Sequence, residues 1–171
     1  MDDTIITTSK LLLAVLIPLI GSILVMLLDK DENIRETISS VSSIALFVVV
    51  CSMVPTIFAG KTLYYNLFTI LPGVTISLRA DPMSMIFAMV ASSLWTIAVF
   101  YSMGYMRGLK EHAQTRFNAC FAIAIFGAIG VAFSDNLFTM YLFYEIVSIC
   151  TYPLVAHHQD QEGYEDRKSV V

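Results

Sequence analysis

Five apolar stretches of membrane-spanning length run along this chain, and they limit its fold more than any other feature. A helix rising 1.5 Å per residue needs about 20 mostly apolar residues to cross roughly 30 Å of hydrocarbon, and soluble cores have no use for such lengths. Hydrophobic residues make up 57% of the 171, with a mean hydropathy of +0.73, above the half or so that soluble domains average. The chain reads as an all-α integral membrane segment with five transmembrane helices, at about 11–28, 38–59, 82–106, 117–133 and 136–156.

The boundaries come from punctuation. The charged string "DKDENIRE" at 29–36 reads as a loop after the first span, and Pro55 stands near the end of the second. Asp81-Pro82 opens the third, because Asp accepts from exposed amides and Pro suits the first helical position. "SDN" at 134–136 ends the fourth span and caps the fifth, so these two are expected to be antiparallel neighbours, with Asp81 and Asp135 both serving as caps. Between the second and third spans, Val74, Ile76 and Leu78 alternate with Thr75, Ser77 and Arg79, and Pro72-Gly73 supplies a turn. That pattern predicts a short interfacial β-hairpin near 63–80, the alternative being an irregular interfacial loop.

Charge sets the orientation. With the N-terminus outside, the outer segments hold Lys10, Lys61 and Arg79, and the inner ones hold Lys30, Arg35, Arg107, Lys110, Arg116, Arg167 and Lys168. The imbalance predicts N-out and C-in. The net charge of −4 lies in the loops without any basic patch, so nucleic acid is not an expected partner. Cys51, Cys120 and Cys150 sit inside apolar runs without paired spacing and read as packing residues rather than as metal ligands or a disulfide framework. The acidic start "MDDTIITTSK" lacks the basic head of a signal peptide, so the first span is expected to be retained.

One residue breaks the apolar pattern. Glu145 is the tenth of the 21 residues of the fifth span, near the bilayer midplane and beyond reach of either surface. An ionised side chain at that depth costs about 3 kcal/mol on insertion scales. Tyr141, Ser148 and Tyr152 stand at i−4, i+3 and i+7 from it, forming a polar stripe that could support the carboxylate or its waters. Desolvation disfavours a buried carboxylate and a nearby cation favours it, so moving a cation would load or release a proton there. The alternative is a permanently protonated or paired Glu145 that only fastens helices together. Pro153 permits a kink below the stripe. His157 and His158 close the span, able either to relay protons or to anchor the chain at the interface, about 18 Å along the helix from Glu145.

These residues resemble a known family. "SLRADPMSMIFA" at 77–88, "SMGYM" at 102–106, "RF" at 116–117 and "SDNLFTMYLFYEIVSICTYPLV" at 134–155 look like the opening of the antiporter-like membrane subunits. That family includes the proton-pumping subunits of complex I, the large subunits of Mrp-type sodium/proton antiporters and their relatives in membrane-bound hydrogenases. "FYEIVSICTYPLVAHH" looks nearer to the D-type large subunit of the Mrp antiporters, since Tyr144 stands where complex I would be expected to carry Trp.

The resemblance implies proton/cation translocation within a multisubunit complex of the inner cell membrane. Its expected partners are other membrane subunits, lipid, protons and, as a candidate, sodium, with no cofactor and no catalytic site of its own. It implies that Glu145 pairs with a lysine on a later helix, which has no counterpart in these residues, and "SVV" at the end reads as the start of a sixth span near 169. Residues 1–171 are thus expected to be the N-terminal part of such a subunit. The rival readings are a complex I or hydrogenase proton-pumping subunit, a structural subunit that carries no ion, and a quinone-binding anchor.

Overall fold

The computed structural model describes residues 5–28, 32–71, 74–109 and 114–155. Five helices run in chain order: α1 (Lys10–Leu27), α2 (Glu32–Phe58), α3 (Pro82–Leu109), α4 (Gln114–Ala132) and α5 (Leu137–Val155). Three strands accompany them: β1 (Ile5–Thr7), β2 (Thr62–Leu71) and β3 (Val74–Ala80). The first four helices are long and apolar enough to cross a membrane, and α5 is an apolar helix of 19 residues. The chain is a multi-pass membrane protein.

Its packing is that of a bundle in lipid. Leu11, Ala14 and Val15 of α1, Leu46, Val50 and Met53 of α2, Trp95 and Val99 of α3, and Ile129 and Phe133 at the end of α4 are buried together. The outward faces are just as apolar: Ile86, Phe87, Val90, Leu94 and Ile97 of α3 are each more than half exposed. In water such a surface would aggregate, whereas in hydrocarbon it costs nothing. Helix α1 lies between α2 and α4, α3 packs on α2, and α5 packs on α4.

Local signals explain most ends. Ser84 N–H donates to Asp81 Oδ1 at 2.7 Å while Asp81 N–H donates to Ser84 Oγ at 2.8 Å, a reciprocal cap on α3. That Ser84 bond, helped by the charge of Arg79, holds the Asp81 carboxyl below the usual aspartate range. At the end of α2, Gly60 adopts φ 76°, and the amides of Gly60 and Lys61 reach back to the carbonyls of Ile57 and Thr56 at 2.9 and 3.3 Å. This is the αL helix stop that glycine favours, and it turns the chain into β2.

The expected hairpin is present, β2 and β3 pairing antiparallel with register shifts near Leu67 and Ile70. It is part of a larger sheet, because β1 pairs in parallel with Thr62–Tyr64. Two expectations need correcting. The segment 29–36, read as a loop, is helical from Glu32, since hydropathy marks only the apolar part of a helix. Its Arg35 and Glu36 are buried, and Arg35 Nη1 donates to Thr115 Oγ1 of α4 at 2.9 Å. Asp135 is not the cap of α5. Asn136 fills that place, its Oδ1 accepting from Thr139 N–H at 2.8 Å. Asp135 instead ties the α4–α5 turn to β3, accepting from Ser77 Oγ at 3.0 Å and lying 3.9 Å from the Arg79 guanidinium. The expected sixth span near 169 lies outside the described residues.

Candidate functional site

Helix α5 begins where a sheet edge meets a helical hairpin. Arg79 N–H of β3 donates to the Phe133 carbonyl at 2.6 Å, and Asp135 N–H donates to the Ser77 carbonyl at 3.1 Å, so the α4–α5 turn continues the sheet. From there α5 returns against α4 along a very close seam. A Cβ added at Gly127 would meet Val147 Cγ2 at 2.6 Å and the Phe143 carbonyl oxygen at 3.1 Å, and one at Gly130 would collide with the Phe143 ring. Phe143 also packs edge-on against Phe126, with ring centroids 5.4 Å apart.

The residues on this seam, Thr139, Phe143 and Val147, follow one another at steps of four and share one stripe of the helix. Glu145 lies two residues from both Phe143 and Val147. At 3.6 residues per turn that is about 200° around the axis, nearly opposite the seam. Tyr141 falls on the same opposite side and is 57% exposed, while Glu145 is half-buried. The carboxylate therefore stands on the flank of the α1–α4 bundle rather than inside it.

The predicted stripe is brought together in part. Tyr141 stands one turn before Glu145 on the same side of α5, so its ring and the carboxylate are neighbours. Ser148 lies on the exposed side, and its hydroxyl donates to the Tyr144 carbonyl at 3.1 Å, with Thr151 donating to the Ser148 carbonyl at 3.0 Å. Tyr152 and Pro153 fall near the end of α5, where only the backbone is described, and α5 continues past both to Val155. His157 and His158 lie outside the described residues. Among the described residues no lysine or arginine forms an ion pair with Glu145. Lys10 is engaged elsewhere, its Nζ donating to the Ser52 carbonyl of α2 at 3.4 Å.

Beside Tyr141 the surface dips into an open apolar hollow of about 710 Å³, lined by Val131, Leu137, Phe138, Met140, Tyr141 and Tyr144. What this arrangement supplies is a carboxylate beside a tyrosine, set midway along an apolar helix and facing outward. It can hold a proton, or the charge of a cation brought up from that side. One group that sequence reasoning overlooked is Thr139, fully buried between α5 and the sheet. Its only signal was its place three residues after Asn136, the N3 position of the helix.

Comparison with known proteins bears on these features. Residues 72–118, a range that takes in β3, α3 and the start of α4, match the family model for the N-terminus of chain 5 of NADH-ubiquinone oxidoreductase (complex I). The Na(+)/H(+) antiporter subunit A1 of Staphylococcus aureus is 28% identical over 171 residues, covering 95% of this chain and 21% of that protein. The same subunit from Staphylococcus haemolyticus gives the same figures. A chain of the membrane-bound sulfane sulfur reductase, an archaeal respiratory membrane complex, superposes with a TM-score of 0.70 at 26% identity, covering 84% of this chain and 22% of that one. These matches support a place for the chain among the antiporter-like membrane subunits. It spans about a fifth of the length of these relatives. The match at 72–118 covers β3, the Asp81 cap and all of α3.

Proposed function

We propose that these residues form the N-terminal membrane bundle of a subunit that translocates cations and protons within an Mrp-type antiporter complex, with Glu145 as its intramembrane proton site. The observation that carries the reading is Glu145 itself: half-buried at the middle of α5, one turn after Tyr141 and turned away from the bundle. An isolated carboxylate at that depth is expensive, so its retention implies water or a cation on the outward side. The partner cation comes from a helix outside the described residues, in the same subunit or a neighbouring one. Names of the relatives, sodium/proton antiporter subunits, support protons and sodium as the ions.

The bundle sits in the cell (inner) membrane among other membrane subunits, N-out and C-in. The supporting asymmetry lies in the sequence, where this topology assigns seven lysines and arginines to the inner segments and three to the outer ones. Within the family, Tyr144 supports the D-type large subunit, whereas the staphylococcal relatives are of the A type. A second reading, a proton-pumping subunit of a respiratory complex, is supported by the complex I family model and the sulfane sulfur reductase chain. Both readings use Glu145 in the same way and differ in what drives it.

The test is Glu145→Gln in the complete complex. Glutamine keeps the shape and loses the exchangeable charge, so cation-driven ΔpH in everted vesicles is expected to vanish while the variant subunit assembles at the wild-type level. Undiminished ΔpH would leave the non-transporting, structural role as the better description.

A further inference from the structure

The α5 seam holds Glu145 in place only if something prevents α5 from turning about its own axis. The seam seats Phe143 on Gly130 and Val147 on Gly127, which holds the middle of the helix and leaves its first turn to other contacts. The sheet supplies the stop. Thr139 accepts from Ser77 N–H at 3.3 Å through its hydroxyl oxygen and donates the hydroxyl proton to the Thr75 carbonyl at 3.4 Å. Asn136, the cap of the same helix, donates from Nδ2 to the Thr75 carbonyl at 2.7 Å and to Ser77 Oγ at 3.2 Å. Ser77 and Thr139 are both fully buried, so water does not compete for these bonds. Three of the four join Thr139 and the cap of α5 to the backbone of β3, and backbone partners have fixed directions.

From these contacts we infer that Thr139 is a positioning residue for Glu145, setting through its latch to Thr75 and Ser77 the direction and depth at which the carboxylate leaves α5. Thr139, Phe143 and Val147 define one stripe, the latch fixes its upper end against the sheet, and Glu145 follows about 200° away. A helix without the Thr139 bonds keeps its apolar seam and the Asn136 contacts, and its first turn sits less tightly against β3. The carboxylate then meets Tyr141, water and the incoming cation at altered angles. This inference rests on Glu145 being the proton site.

Thr139→Val is nearly isosteric and removes both hydroxyl bonds, and Thr139→Ser keeps the hydroxyl. In vesicles carrying the complete complex, Thr139→Val is expected to assemble normally and to shift the pH of half-maximal cation-driven ΔpH by about half a unit or more, roughly a threefold change in proton affinity. Thr139→Ser is expected to restore the profile. A nitroxide at Tyr144→Cys, with Cys51, Cys120 and Cys150 replaced by alanine, reports rotation through its collisions with lipid-dissolved oxygen, which Thr139→Val is expected to change. If Thr139→Val fails to assemble, Asn136→Asp keeps the cap acceptor, loses both Nδ2 donations and serves in its place. An unchanged pH profile in an assembled variant overturns the inference, as does a label that does not move. Glu145→Gln run in parallel separates the two claims: if it transports normally, the proton site falls, and the label alone decides whether Thr139 orients the helix.

Discussion

At the scale of single residues, the polar side chains of this molecule divide into those that end elements and those that have no structural excuse. Asp81 belongs to the first kind. Its carboxyl is held low mainly by the Ser84 amide, so the cap strengthens folding above the unfolded aspartate value, about pH 3.9, and that contribution is lost as pH falls through the lower folded value. Asp81→Asn keeps an acceptor and removes the charge. The thermal stability gap between wild type and Asp81→Asn is expected to be open at about pH 6 and to close as pH is lowered towards about 3, a difference measurable by unfolding of the purified complex. Losing the cap altogether, as in Asp81→Ala, costs about 1 kcal/mol. Glu145 belongs to the second kind, and its isolation was legible because a carboxylate amid Leu142, Phe143, Ile146 and Val147 contradicts its surroundings. The place of Tyr141 on the same side of the helix was legible too, from the spacing of four. The diversion of Ser148 to the Tyr144 carbonyl was not, because a helical serine can bond back to its own chain and spacing alone does not say which it will do.

At the scale of elements, hydropathy and turn residues located all five helices and the hairpin, since burial in lipid and the φ demands of glycine and proline act locally. Long-range pairing left no such trace. Strand β1 is three residues long and borrows its partner from Thr62–Tyr64, far along the chain beyond two helices, and the helical turn at Glu32–Glu36 is polar although it is buried against α4 through Arg35. Asp135 and Asn136 look equivalent in the sequence, and only the direction in which the turn leaves α4 decides which of them caps α5. The α4–α5 seam shows how much an element can depend on a missing side chain. Gly127→Ala places a methyl 3.1 Å from the Phe143 carbonyl oxygen, a backbone atom that cannot rotate away. The seam must open, at a cost of about 1–3 kcal/mol typical of overpacking. The expected outcome is a lower unfolding temperature of the complex together with weakened ΔpH generation, because the face bearing Glu145 moves with α5.

At the scale of the whole molecule, the sheet, the start of α1, the end of α2, the start of α3 and the α4–α5 turn all lie on one side, and the end of α1, the start of α2, the end of α3 and the start of α4 lie on the other. The lysines and arginines favour the second side as the inner one, and this has a direct readout. In a complex free of other reactive thiols, Lys61→Cys on the sheet side is expected to react with a membrane-impermeant maleimide added to intact cells. Asn33→Cys, exposed at the opposite end of α2, is expected to react only after permeabilisation. Both positions belong to one continuous helix and its stop, so their labelling must be opposite if α2 crosses the membrane at all. Two equal signals would therefore deny the span itself, and a reversed pair would set the larger cationic group outside, against the usual bias. The expected pair places the latch of Thr139 beneath an outward-facing sheet, so that contacts made by the sheet outside the membrane act on the same helix that carries Glu145.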